Sequence, residues 1–368
     1  MANHQPLTAL GMMSGTSLDG IDAAVIVSDG VELIETGAVA YFPYDQAFRE
    51  DLRACLGKSL EGPGVADVAG ELTGRHVLAV KKVLQEHNMK ASDIDLVGFH
   101  GHTTLHRPQD RLTVQIGDPA MLAKETGIRV IGDFRSNDVA QGGEGAPFAP
   151  LFHQALCRGQ KRPLAVLNVG GVANVTWIGG GGTSKEPNIL AFDTGPGNAL
   201  IDDWVSATIG RSMDEGGRLA KAGTVHEEIL GGLLENAYFG RTPPKSLDRD
   251  DFAGAMQAVA GLSTEDGAAT LSAFSVLSIG KAREHFPEAA KRWLVTGGGR
   301  HNTTMMAMLD LHVGGGVEPI EAINCNGDAL EAQAFAFLAI RSLYGMPLSL
   351  PKTTKVSRPM VGGTLFEA

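Results

Sequence analysis

Cysteine is scarce: Cys55, Cys157 and Cys325 are the only three among 368 residues, far apart and without a CxxC pair. That number and spacing support neither a disulfide framework nor a zinc knuckle, so the thiols read as reduced and structural. Basic residues are in deficit, 31 Lys+Arg against 42 Asp+Glu, for a net charge of −11. No general positive field exists to attract duplex DNA, RNA or an anionic membrane, and an anionic ligand needs a local site. Apolar runs of ~18 residues do not occur, and Met1 to Gly11 carries neither a cationic start nor a long apolar stretch. The expectation is a cytoplasmic protein with no nucleic-acid or membrane partner.

The common phosphate and hydrolase signatures are missing too. There is no GxxxxGKS/T loop, no GxSxG and no HExxH. The nearest approach to GxGxxG is Gly195-Pro196-Gly197-Asn198-Ala199-Leu200, where a proline and the absent third glycine spoil a dinucleotide turn. His100, His102 and His106 lie close together, but their spacing lacks the usual ligand pattern and no cysteine is near, which favours structural or substrate-contacting histidines over a metal.

Glycine is what the chain has in excess: 48 residues, about 13 % against a usual ~7 %. Only 17 prolines and no Gly-X-Y period exclude collagen. The excess therefore serves turns and close backbone approaches.

Apolar runs bounded by turn residues place strands at 7–13, 22–27, 31–44, 95–99, 128–131, 164–169, 174–178, 189–193 and 293–295. Helical spacing marks 65–84, 199–209, 225–238, 267–285 and 329–344, with another helix from Thr303. Asp118-Pro119 reads as N-cap and first residue of a short helix ended by Gly127. The 142–150 stretch, GGEGAPFAP, reads as a hinge or a substrate loop. The glycine turns at Gly15 and Gly170 are 155 residues apart, and each follows a strand and precedes another. This suggests a duplicated α/β unit.

Three strands feed glycine turns: Gly15 to Gly20, Gly170-Gly171 with Gly195-Pro196-Gly197, and Gly297 to Gly299. One such loop is ordinarily a turn and nothing more. Three together point to bare N–H groups cradling a nucleotide phosphate at strand ends. Asp19, Asp22, Asp133 and Asp193 stand at loop mouths, and Asp193, beside the Gly-Pro-Gly turn, is the candidate general base. Asp118 and Asp328 read as cap or turn residues.

The stretch GMMSGTSLDGID (11–22) resembles the opening signature of the anhydro-N-acetylmuramic acid kinases. The likeness continues through GFHGHTT (98–104), VQIGDPA (114–120), GDFRSNDVAQGGEGAPFAP (132–150), LNVGGVANV (167–175), FDTGPGNALIDDW (192–204), PPKSLDRDDF (243–252), TGGGRHN (296–302) and EAQAFAFLA (331–339). The resemblance implies the two-domain actin-like ATPase fold of the sugar kinase, Hsp70 and actin superfamily. In that fold duplicated mixed five-stranded sheets with flanking helices enclose a central ATP cleft. On this sequence it suggests domains at 1–135, with 345–368 as a candidate completion, and at 136–344.

By the same resemblance ATP and water open 1,6-anhydro-N-acetylmuramic acid and O6 is phosphorylated. The products are N-acetylmuramic acid 6-phosphate and ADP, made during peptidoglycan recycling. Asp193 would take the proton of the attacking water. Gly15, Thr16, Ser17, Leu18, Asp19, Gly20, Ile21 and Asp22 would form the phosphate loop, Gly170, Gly171, Gly195 and Gly197 a second wall. Gly297, Gly298, Gly299 and Asn302 would form the adenosine side, and His100, Asp133, Arg135 and Glu331 would meet the sugar. ATP and Mg²⁺ are implied, with metal ligands undetermined and a homodimer left open. Four residues depart from the family pattern: His102 and Glu144, where glutamine is expected, and Ser136 and Asn137, where arginines are. These favour as an alternative a kinase for another amino sugar; a nucleotide-driven clamp of the Hsp70 or actin kind is a separate alternative.

Overall fold

A computed structural model describes residues 4–15, 17–182, 187–247 and 249–368, the side chains at 249 and 250 aside. The chain opens with strands β1 (Leu7–Ser14), β2 (Gly20–Ser28) and β3 (Leu33–Pro43), then helices α1 (Gln46–Cys55) and α2 (Val65–Glu86). Strands β4 (Leu96–Arg107) and β5 (Leu112–Ile116), helix α3 (Pro119–Thr126), strand β6 (Val130–Gly132) and helices α4 (Ser136–Ala140) and α5 (Pro150–Leu156) follow. Strands β7 (Leu164–Val169), β8 (Val172–Ile178) and β9 (Ile189–Pro196) then lead into α6 (Ala199–Ile209), α7 (Arg218–Ala222), α8 (Glu227–Leu234), α9 (Gly254–Ala258) and α10 (Thr264–Lys281). The chain ends with β10 (Trp293–Thr296), α11 (Thr303–Val313), β11 (Val317–Pro319), α12 (Leu330–Leu343), α13 (Pro351–Thr354) and β12 (Thr364–Phe366).

Two compact units result, Met1–Gly159 with Asp328–Ala368, and Gln160–Gly327. The division differs from the 135/136 and 344/345 boundaries read from sequence. The reason is α12, whose Phe337 ring lies 5.7 Å from that of Phe152 in α5. A side chain on Gly11 of β1 or Gly98 of β4 would collide with its backbone at Ala332 and Phe335. The nearly all-apolar helix therefore lies on the first sheet, and α5 goes with it.

The second sheet has the order β11-β10-β7-β8-β9, with β7–β8 and β8–β9 antiparallel and β7–β10 and β10–β11 parallel. The first sheet contains the same plan, β6-β4-β1-β2-β3, with β1–β2 and β2–β3 antiparallel and β1–β4 and β4–β6 parallel. Order and direction match strand for strand, so the duplication suggested by the two glycine turns is present in the backbone. The first sheet exceeds the expected five strands: β5 folds back on the long end of β4, and β12 pairs antiparallel to β6.

Local chemistry sets the element ends. Asp118 accepts from the amides of Ala120 and Met121, Pro119 opens α3, and Gly127, at φ 68°, closes it. The helix read over 225–238 is confined to α8, because Asn236 takes the Tyr238 amide on its side chain and ends the turn. In the second unit α10 is buried along most of its length among β9, α6, α7, α8 and α11.

Candidate active site

In the first unit the Ser14–Gly20 turn leaves the carboxyl end of β1, where an open sheet offers its backbone to ligands. Ser14 is buried; its Oγ accepts from the Tyr44 hydroxyl at 2.9 Å and lies 3.0 Å from His102 Nδ1. Leu18 sits at φ 58°, a conformation that costs a non-glycine residue on the order of 1 kcal/mol, while its amide donates to Gly15 O. The buried Leu18 side chain is the anchor that holds the residue there.

The turn residues expected to meet phosphate separate into two kinds. Gly15 is open on its Cβ side, and Ser17 and Asp19 are exposed, with the Ser17 hydroxyl donating to Asp19 Oδ1 at 2.5 Å. Leu18 and Ile21 point their side chains into the core, and a Cβ on Gly20 would stand 2.5 Å from Phe42 O. These three have only main-chain atoms to offer a ligand. Thr16 lies outside the described residues.

Asp22 follows on β2, its carboxyl pushed up to about 7 by burial and then by the negative charges of Asp19, Glu331 and Asp328. Asp328, read as a turn residue, thus adds to this acidic field. A divalent cation would relieve the repulsion, and Mg²⁺ typically takes one or two carboxylates together with phosphate oxygens and water. Among the described residues no three acidic or histidine side chains form a metal cluster, so such an ion would take carboxylate from Asp19 and Asp22 and its remaining ligands from phosphate and water.

Three of the four expected sugar contacts come together. Arg135 donates from Nε to His100 Nε2 at 3.0 Å and from a terminal nitrogen to Gly145 O at 2.6 Å. The guanidinium lies over the rings of Phe148 and Phe335. Because Nε2 of His100 accepts, its Nδ1 carries the proton and donates to Gly101 O at 2.9 Å. Burial, then the Arg135 charge, holds His100 well below the usual histidine range, so the ring is neutral. Burial also lowers Arg135 to about 10, against the attraction of Glu331 and Asp138. Glu331 is raised by desolvation while Arg135 pulls it down.

Asp133 does not join them: it is exposed, in a left-handed turn at φ 53°. The residue that the sequence left unmarked is Asp138. Buried to 2 % exposure, it accepts from the Gly145 amide, the Ser349 hydroxyl and the Thr354 hydroxyl. With the Glu144 amide donating to Thr354 O and His106 Nε2 2.9 Å from Glu144 O, the 142–145 stretch is held in place beside Arg135.

Asn137 and Glu144, two of the four departures, make polar contacts of their own. The Asn137 amide donates to Val361 O, and the Glu144 carboxylate lies 3.5 Å from Lys355. His102, at 0 % exposure, is lowered to about 4 by burial.

In the second unit the Gly170-Gly171, Gly195-Pro196-Gly197 and Gly297–Gly299 turns gather at one end of the sheet. The amides of Gly197 and Asn198 donate to Gly171 O and Gly170 O, zipping two turns together ahead of α6. Asn198 Nδ2 donates to Val169 O. Gly297, at φ 74°, and Gly299 press against Val169, whereas Gly298, Gly170 and Gly171 keep open faces. Gly195 packs on Ser278 of α10. Asn302 spends its side chain capping α11, where Oδ1 accepts from the Met305 amide.

Asp193 lies on β9 at a bulge: β8 pairs Asn174 with Asp193 and the next residue, Ala173, with Gly195, leaving Thr194 extra. Such a bulge re-aims a side chain at a site. One carboxylate oxygen accepts from the Leu247 amide at 2.9 Å.

Two copies of one strand plan with glycine turns at the strand ends define a two-unit ATPase fold of the sugar kinase, Hsp70 and actin type. The family model "anhydro-N-acetylmuramic acid kinase" matches residues 7–368, and the chain belongs to that family; it is a kinase, and such an enzyme uses ATP. A relative from Paramagnetospirillum magneticum named anhydro-N-acetylmuramic acid kinase is 51 % identical over 358 residues, covering 97 % of this chain and 99 % of its own length. A relative of the same name from Rhodospirillum rubrum is 50 % identical, covering 98 % of this chain and 94 % of its own length. One from Zymomonas mobilis is 45 % identical over 98 % and 99 %. Among the described residues no helix is long and apolar enough to cross a membrane.

Proposed function

We propose that this kinase is ATP- and Mg²⁺-dependent and opens the anhydro bridge of 1,6-anhydro-N-acetylmuramic acid with water while phosphorylating O6. N-acetylmuramic acid 6-phosphate and ADP leave, and the reaction belongs to cytoplasmic peptidoglycan recycling. The observation that carries the reading is the Asp193 carboxylate, fixed by the Leu247 amide at the β9 bulge in a chain whose residues 7–368 match this family.

Asp193 accepts a proton from water, and the water oxygen bonds to C1. The C1–O6 bond breaks, its electron pair stays on O6, and O6 attacks the γ-phosphorus as the bond to the β-bridging oxygen breaks. Asp19 and Asp22 would hold Mg²⁺, which would supply charge neutralisation for the phosphates. Each unit carries a turn with open backbone, at Gly15 in the first and at Gly170, Gly171 and Gly298 in the second, whose main-chain donors are accessible to phosphate. Arg135, kept cationic by its attraction to Glu331 and Asp138 and oriented by neutral His100 and Gly145, faces the polar groups of the sugar.

The Glu144–Lys355 pair and Asn137, tied to Val361, favour a second reading, a kinase for another amino sugar. Turnover of anhydro-sugar and ATP in H₂¹⁸O, with prompt mass spectrometry of the product, separates the two. One ¹⁸O at C1 together with phosphate at O6 supports the first reading; unlabelled phosphosugar rejects it.

A further inference from the structure

We infer that Lys245 is a positioning residue for the reaction: its ammonium group closes the 238–247 segment into the clamp that fixes Asp193. The inference rests on Asp193 being the general base.

β9 is the edge strand of the second sheet, and the bulge at Thr194 interrupts its pairing with β8. The sheet alone therefore leaves Asp193 gripped from one side. The other side is taken by the 238–247 segment, which holds three separate groups of this residue. The Asp193 amide donates to Lys245 O at 3.0 Å. The Tyr238 hydroxyl donates to Asp193 O at 2.5 Å, and the Leu247 amide donates to Oδ2 at 2.9 Å. Backbone and carboxylate are thus held by one segment that has neither helix nor strand of its own between residues 240 and 247.

A segment without regular structure needs a side chain to close it, and Lys245 does so. Its Nζ donates to Tyr238 O at 3.2 Å and Phe239 O at 3.1 Å and lies 3.4 Å from His285 Nε2. It also stands over the Tyr238 ring, 4.6 Å from the centroid, and 5.8 Å from that of Phe192. Tyr238, which grips the backbone of Asp193, is itself gripped by Lys245 through both its carbonyl and its ring face. The side chain is buried to 8 % exposure.

Burial, then the neighbouring Arg241, lowers Lys245 to about 8 against the pull of Glu284. Burial and Lys245 in turn hold His285 below the usual histidine range. At neutral pH the lysine is charged and the imidazole accepts, the pairing the geometry requires. A methionine fills similar volume with no donor, leaving the two carbonyls without the ammonium and the clamp free to shift. Misplacing a reacting group by about 1 Å costs roughly 10²-fold in rate.

The test uses the full-length kinase with ATP and the anhydro-sugar. Lys245→Met is expected to lower kcat about 10²-fold, with KM for both substrates and the Kd for ATP unchanged within threefold. Lys245→Ala should regain at least tenfold of its lost kcat with added ethylammonium chloride, which refills the ammonium position, and nothing with equal tetramethylammonium chloride. Wild-type kcat in folded Lys245→Met overturns the inference, as does equal response to the two salts. Should Lys245→Met fail to fold, Lys245→Arg decides: its charge is kept but its fork cannot set one nitrogen against three acceptors. A tenfold or larger kcat loss at constant KM supports the role, and wild-type kcat overturns it. Asp193→Asn, measured alongside, separates the layers. Wild-type turnover there removes the base reading and this inference with it, whereas loss there beside wild-type turnover in Lys245→Met removes the inference alone.

Discussion

Gly11 on β1 faces Ala332 on α12 so closely that a Cβ would collide with the Ala332 carbonyl oxygen, 2.6 Å from the Ala336 amide nitrogen as well. Backbone rests on backbone, and neither partner can give way cheaply. Gly11→Ala is expected to destabilise the protein by about 3 kcal/mol, the upper range for overpacking, measured as a fall in urea midpoint. Gly70→Ala is the control. Gly70 lies within α2 with nothing inside 4 Å of its Cβ position, so alanine there should stabilise by roughly 0.5–1 kcal/mol through helix propensity.

Gly15 differs from Gly20 in the space available. At Gly15 a Cβ would have the Ser17 hydroxyl, 3.6 Å away, as its nearest non-adjacent neighbour, which leaves room for Gly15→Val. It should keep the wild-type Tm while weakening ATP binding tenfold or more by calorimetry. Gly20→Val strikes Phe42 and Tyr41 and should lower Tm instead. Wild-type ATP affinity in Gly15→Val would remove the turn from the phosphate site.

His102 makes the protein sensitive to acid. Its folded pKa is about 4 because of burial, against ~6.5 in the unfolded chain. Below 6.5 the unfolded state binds the additional proton, so stability is intact above that pH and falls as pH drops toward 4. His76, at about 4, and His153, at about 3, act in the same direction. His102→Gln should keep the stability at pH 7.5 and recover about 3 kcal/mol of the loss at pH 4.5, read from denaturation midpoints across the window.

Asp22 acts with the opposite sign. Its carboxyl is raised to about 7 by burial and by Asp19, Glu331 and Asp328, so between about 4 and 7 the folded state holds the proton. Stability contributed by this group is present below pH 4 and is lost as pH rises through 7. Asp22→Asn should therefore raise Tm at pH 8 and leave it nearly unchanged at pH 4. The same substitution should weaken the dependence of turnover on Mg²⁺ concentration.

Much of the fold was legible because apolar runs bounded by glycine or proline mark strands directly. The repeated strand-turn-strand opening predicted the duplication that the two sheets display. β5 and β12 were missed: β12 is three residues long, and β5 pairs with an end of β4 that the sequence pattern stopped short of. Glycine was the harder lesson. Gly170, Gly171 and Gly298 sit open at turns as expected, but Gly11 and Gly98 exist for α12, a tertiary contact invisible to local pattern. Asp133 and Asp138 flank Arg135 closely in sequence, and only the left-handed turn at one and the burial of the other tell them apart. Lys245 showed as part of a motif without a task, because its contacts with Tyr238 and Phe239 arise only when an irregular segment folds back on itself, and His285 comes from a distant one.

The central claim is that Asp193 activates water in an ATP-consuming opening of the anhydro-sugar. The most direct measurement is sugar-dependent ADP release by Asp193→Asn, with ATP binding to the same preparation followed by calorimetry. The account predicts turnover reduced at least 10³-fold, within the upper range for losing a general base, with ATP affinity within threefold of wild type. Turnover at the wild-type rate in that variant would contradict it.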